Sequence, residues 1–98
     1  MKKILIIEDE EPIRRVLKRI LTDESSKFKI HEAIDGNEAI DKLSRDKFDL
    51  VVCDIKMTKK DGLDVLKFAN NKEIATPFIM LTGHGNIETA VEAMKIGA

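Results

Sequence analysis

Cysteine is nearly absent from this chain of 98 residues, Cys53 being the only one. An intramolecular disulfide is therefore impossible, and a cysteine-based zinc site lacks its ligands. That usage fits a reducing, cytoplasmic setting. An excess of one charge is also missing, since 17 basic and 18 acidic residues leave a formal net charge of -1. Such a balance offers no electrostatic footprint for nucleic acid, and the even spread of charges makes no membrane-surface patch. No apolar run approaches the length of a transmembrane helix. The first strand is expected from Lys3 or Ile4, which leaves no room for a signal peptide. Linkers, low-complexity segments and internal sequence repeats are lacking as well. What remains is 43% hydrophobic and 36% charged residues in one small domain spanning residues 1–98.

Apolar runs and helical patterns alternate along that domain. Ile4-Leu5-Ile6-Ile7 is continuous rather than alternating, which predicts a central parallel strand buried on both faces. Pro12 suits the first turn of a helix, and Ile13, Val16, Leu17, Ile20 and Leu21 then recur on one helical face. Phe28, Ile30 and Ile34 lie two or four apart and predict a half-exposed edge strand. Asp35 and Glu38 form an N-cap signature for a helix burying Ala39, Ile40 and Leu43. Leu50-Val51-Val52-Cys53 is a second buried strand, ending at Asp54. A polar loop over Lys56 to Asp61 leads to a helix from Gly62 to about Asn71 that uses Leu63, Leu66 and Val65. Pro77 to Leu81 reads as a third central strand, with proline at its first position. Asn86 caps a last helix through Ile87, Ala90, Val91 and Met94.

Repeated βα units with short loops predict an α/β fold. It is a flavodoxin-like, doubly wound parallel sheet in strand order 2-1-3-4. The fourth strand is apolar, yet nothing after it covers its outer edge, and long apolar edges recruit partners. A fifth strand and helix are therefore expected in the parent domain and missing from this chain.

Ligands in such a sheet bind beyond the carboxyl ends of the strands, where the strand order reverses. That point lies between the first and third strands, which end at Glu8-Asp9 and at Asp54. Three carboxylates left alone would repel one another and raise their pKa values. A hard divalent cation resolves the repulsion, and oxygen-only ligation describes Mg²⁺, with the Lys56 backbone carbonyl placed to add a ligand. A carboxylate beside Mg²⁺ is a nucleophile toward phosphorus and forms an acyl phosphate. The Thr82 hydroxyl and the N–H groups around Ile55, Lys56 and Gly83 are placed to bond phosphoryl oxygens.

The strings ILIIEDEEPIRRVL, DLVVCDIKMTKKDGLDVL and FIMLTGHGNIETAVEAMKIGA resemble the receiver domain of two-component response regulators. The resemblance runs the whole chain in several separated motifs, and is nearest the nitrogen-regulation type of transcriptional activator. It implies that Asp54 is the phosphorylation site and that Asp9 and Asp54 bind Mg²⁺ directly, with Glu8 acting through water. The Lys56 carbonyl would be the backbone ligand and Thr82 the switch hydroxyl. It further implies a histidine kinase as phosphodonor and an effector domain or partner protein as recipient of the signal. The domain would be regulatory rather than a conventional enzyme. Two departures matter. Thr58 stands where the family usually has proline, and the chain stops before the family's lysine and the aromatic residue that moves with the threonine.

Plainer readings compete at single residues. Glu10 and Glu11 cap and solvate a helix, His84 is a loop residue beside two glycines, and His31 is expected at the surface. Cys53 is expected to turn away from Asp54 into the core, and Lys56, Lys59 and Lys60 form a solvated loop face. Two other functions remain open for the whole chain. One is an association module, a homodimer or strand-exchanged oligomer through the fourth strand. The other is a small phosphohydrolase, which would want a second aspartate where Lys56 stands.

Overall fold

The computed structural model describes residues 2–54 and 62–81. Within these residues four strands alternate with three helices: β1 (Lys2–Ile7), α1 (Glu11–Glu24), β2 (Phe28–Ala33), α2 (Gly36–Arg45), β3 (Leu50–Asp54), α3 (Gly62–Asn71) and β4 (Phe78–Leu81). The strands form one parallel sheet in the order β2-β1-β3-β4, the doubly wound, flavodoxin-like order expected from the alternating pattern. The central register aligns Ile7 of β1 with Ala33 of β2 and with Cys53 of β3.

Burial follows the apolar runs. Leu5, Ile6 and Ile7 are fully enclosed, as are Val51 and Cys53 on the neighbouring strand. Leu5, Ile7, Ala33, Val51 and Cys53 face one way and pack with Ala39 and Leu43 of α2 and Val65 of α3. Each large aliphatic side chain enclosed there contributes about 1.5–3 kcal/mol of transfer free energy. Alternation turns Ile4, Ile6 and Val52 to the opposite face, and α1 lies against β1 and β2. Cys53 thus points into the core and away from the Asp54 side chain, its Sγ lying 3.4 Å from the Asp54 carbonyl oxygen.

Helix ends show their local causes. Asp35 accepts a hydrogen bond from the Glu38 N–H at 2.8 Å, the N-cap of α2 expected from the sequence, worth about 1 kcal/mol. Pro12 sits in the first turn of α1. At the end of α3, Glu73 takes φ 55°, the Glu73 N–H reaches the Asn70 carbonyl and the Ile74 N–H reaches that of Ala69. Those paired bonds are a Schellman closure, whose left-handed position normally holds glycine.

Four expectations need correction. The α1 stripe is not fully covered: Val16 and Ile20 are each 58% exposed, while Ile13, Leu17 and Leu21 are half-buried. Strand β2 closes at Ala33, so Ile34 lies beyond it and is exposed, and Ala33 is the enclosed residue. Strand β4 begins at Phe78 rather than Pro77, whose carbonyl accepts from the Val51 N–H, and Ile79 is 50% exposed. It behaves as an edge because, among the described residues, only β3 pairs with it. His31 is half-buried rather than superficial. It meets Phe48 edge to face at 5.4 Å, and among the described residues its enclosed Nε2 has no hydrogen-bond partner.

Candidate functional site

Parallel pairing of β1 with β3 brings their carboxyl ends to the same edge of the sheet. Glu8 and Asp9 follow β1 directly, and Asp54 closes β3. The Glu8 N–H donates to the Ala33 carbonyl at 3.1 Å, extending the ladder to β2 by one residue beyond Ile7. Glu8 and Asp54 are buried and Asp9 is half-buried. One carboxylate oxygen from each of Glu8, Asp9 and Asp54 lies within 4.8 Å of the others. Two stretches of chain far apart in sequence, Glu8-Asp9 and Asp54, thus form one acidic cluster.

Such closeness has an electrostatic cost. Two unit charges about 5 Å apart repel by roughly 3 kcal/mol at an effective dielectric of about 20. The Glu8 carboxyl is accordingly pushed up to about 7, chiefly by burial and also by Asp9 and Asp54. The Glu10 N–H, 3.2 Å from Glu8 Oε2, opposes that rise by favouring the ionised form. An oxygen-only donor set carrying this much negative charge suits a hard divalent cation and gives a softer metal no sulfur or imidazole. The residues present therefore fit Mg²⁺.

Arg14 also belongs to this neighbourhood. Its Nη1 donates to the Glu8 carbonyl at 3.0 Å, and its Nε lies 3.5 Å from Glu32 Oε1 on β2. Sequence reasoning passed it over. Its signal was position: helical side chains lean toward the N-terminus, so a long residue one turn into α1 reaches back over the preceding loop. The Glu10 and Glu11 carboxylates are not among the three that cluster. Glu10 occupies the N-cap position of α1 without a side-chain cap bond, and Glu11 pairs with Arg15 at 2.6 Å.

The structure brings together Glu8, Asp9 and Asp54 from among the residues singled out in the sequence. Lys56 and Thr82 lie outside the described residues, as do Ile55, Gly83, His84, Lys59, Lys60, Thr58 and the expected last helix. A cavity of about 760 Å³ opens at the other end of the strands, against Leu43, Phe48, Ile74 and Pro77. Its rim mixes Arg45 and Lys47 with Asp46, Asp49 and Glu73, and it is remote from the carboxylate cluster. Among the described residues, no helix is long and apolar enough to cross a membrane.

Sheet order and the carboxylates gathered at the strand ends define a class, and comparison with known proteins agrees. Residues 4–98 match the response regulator receiver domain family, and the chain belongs to that family. The chain is 39% identical over 97 residues to transcriptional regulatory protein SrrA of Staphylococcus aureus, covering 98% of this chain and 39% of that protein. It is 37% identical over 97 residues to a putative response regulator, NtrX-like, of Rickettsia bellii, covering 97% of this chain and 20% of the relative. The chain thus spans a minor part of the length of these relatives, whose names are of mixed kind. Among solved structures, a CheY-like receiver domain protein from Methanospirillum hungatei superposes with a TM-score of 0.90 at 30% identity, over 100% of this chain and 77% of that one. A response regulator from Burkholderia pseudomallei, solved with a phosphorylated aspartic acid, calcium ion and citrate, gives 0.85 at 27%, over 100% and 56%.

Proposed function

We propose that this domain accepts a phosphoryl group on Asp54 from a histidine kinase in a Mg²⁺-dependent reaction and thereby switches an interaction surface. The carrying observation is the convergence of Glu8, Asp9 and Asp54 within 4.8 Å at the carboxyl end of a doubly wound sheet. The phosphorylated aspartate and calcium ion of the Burkholderia relative support the reading.

Asp54 is the nucleophile. One of its carboxylate oxygens bonds to phosphorus as the phosphorus–nitrogen bond of the donor phosphohistidine breaks, the electron pair staying on the imidazole. Asp9 and Asp54 would hold the ion directly, Glu8 through water, and the Lys56 carbonyl would complete the protein ligands. Bound Mg²⁺ supplies neutralisation of the charge spread over the phosphoryl oxygens. The Thr82 hydroxyl is assigned to a phosphoryl oxygen, the contact that couples phosphorylation to the loop after β4. On this reading the domain is regulatory and works in the cytoplasm. Its partners are the kinase and an effector domain or protein, with no nucleic acid or membrane bound directly. The finer assignment to nitrogen-regulation activators rests on the sequence Thr82-Gly83-His84-Gly85, since the relatives are mixed.

Incubation with Mg²⁺ and acetyl phosphate, read by intact mass, tests the proposal. We expect a gain of one phosphoryl group, and its loss in Asp54→Asn. No gain in the unaltered chain, or an equal gain in the variant, refutes it. A second reading, self-association through β4, is favoured by the 50% exposure of Ile79 on a strand paired on one side among the described residues. Sedimentation across a concentration series decides, and a monomer throughout rejects that reading.

A further inference from the structure

We infer that Arg14 is a positioning residue for the carboxylate site, fixing the peptide between Glu8 and Asp9 so that both side chains face Asp54. The inference rests on the proposed metal-binding role of those carboxylates. Its geometry is independent of that role.

Glu8 is held by its backbone on two sides. Its N–H donates to the Ala33 carbonyl at 3.1 Å, and its carbonyl accepts from Arg14 Nη1 at 3.0 Å. A residue whose two flanking peptide groups are both secured has little freedom in φ and ψ, the dihedrals that aim its own side chain and orient the peptide leading to the next residue, here Asp9. Arg14 is itself held. Its side chain is only 14% exposed, its backbone N–H donates to the Glu10 carbonyl at 3.0 Å, and its Nε faces Glu32 Oε1 at 3.5 Å. Lys18 approaches the other oxygen of Glu32 at 3.7 Å, so the carboxylate on β2 is steadied from α1 twice. The guanidinium therefore ties three pieces of chain together: the loop after β1, the first turn of α1, and β2.

Arg14 acts through backbone and not by direct charge pairing within the cluster. Its Nη1 donates to a carbonyl and its Nε faces Glu32, which lies outside the acidic cluster. That distinction makes the role specific to arginine. A planar fork satisfies two acceptors at fixed directions, whereas a lysine ammonium on a flexible stem keeps the charge but not the paired geometry. Partners that orient metal ligands from behind change affinity by about 10–100-fold when removed.

The test is a Mg²⁺ titration followed by the backbone amide resonances of residues 8, 9 and 54, alongside thermal unfolding. Arg14→Lys is expected to unfold within a few degrees of the parent, because the ion pair to Glu32 survives. It should nevertheless bind Mg²⁺ about tenfold more weakly, with the metal-free Asp9 amide displaced. Arg14→Met should lose affinity to a similar extent. Glu32→Leu, which spares Arg14 and frees its Nε, should weaken binding by about threefold, and it serves if either Arg14 variant fails to fold. Asp9→Asn and Asp54→Asn are the controls for the metal site. If these two weaken Mg²⁺ while the Arg14 and Glu32 variants stay within about twofold of the parent, the positioning role is wrong and the metal site stands. If the aspartate variants leave binding unchanged, the metal-site reading fails, and the inference with it.

Discussion

Replacing Glu8 with glutamine should stabilise the metal-free domain at neutral pH, although the residue is buried. The folded carboxyl titrates at about 7, against an ordinary value of 4.5. A raised folded pKa means that the native state holds more protons than the unfolded chain between those two values. Stability is therefore fully present below about 4.5 and is lost as pH rises through about 7. Each pKa unit corresponds to about 1.4 kcal/mol, so ionising Glu8 in place costs on the order of 3 kcal/mol. Only 2% of the residue is exposed, which leaves little solvent to screen that cost. Glutamine keeps an oxygen for the Glu10 N–H at 3.2 Å and cannot ionise. Part of the gain is offset by burying an amide, so a net stabilisation of about 1–3 kcal/mol is expected at about pH 8.

Urea unfolding in a chelator, at about pH 5 and about pH 8, reads the difference directly. The chain has no tryptophan or tyrosine, so far-ultraviolet circular dichroism is the probe of choice. With a urea slope of roughly 1–3 kcal/mol per molar, the variant's midpoint should rise by about 1 M at the higher pH. At the lower pH the two proteins should nearly coincide. A variant less stable at the higher pH, or a parent-to-variant difference independent of pH, would refute the reasoning.

Glu73 holds a left-handed backbone at φ 55°, so Glu73→Gly should raise stability by about 0.5 kcal/mol, and Glu73→Val should lower it by about 1 kcal/mol. Thermal unfolding distinguishes the two. The pKa of His31 is lowered by burial first and then by Lys29, Lys3 and Lys42, with Asp46 opposing. A depressed histidine makes the unfolded chain the better proton acceptor, so its contribution to stability falls as pH drops below the ordinary value of 6.5. That trend opposes the one from Glu8 and is isolated in the Glu8→Gln background. Adding His31→Gln there should flatten the remaining loss, and an unchanged acid limb would contradict the assignment.

Much of this protein was readable from one dimension. Continuous apolarity at Ile4 to Ile7 and at Leu50 to Cys53 identified strands enclosed on both faces, because only a central parallel strand has no solvent side. The Asp35 and Glu38 pair announced the start of α2 by local hydrogen bonding alone. The βα crossovers implied a parallel sheet and the half-exposed second strand its order, and with it the edge at which Glu8, Asp9 and Asp54 emerge. Those features depend on neighbours in sequence or on topology.

Other features depended on what packs against what. The periodicity of α1 marked Val16 and Ile20 as apolar, but a period specifies a face and not its cover, and both are largely exposed. His31 was assigned to the surface by its edge strand, yet Phe48, brought across from before β3, encloses it. Arg14 carried no motif, since its bond to the Glu8 carbonyl exists only once α1 folds back over the loop. Nor does residue type set the 4.8 Å spacing of the carboxylates or the raised pKa of Glu8. The sequence by itself determined which groups exist and at which end of the sheet they gather. Tertiary structure decided how close they stand and how far from water, because Coulomb energy and desolvation depend on distance and burial rather than on chain position.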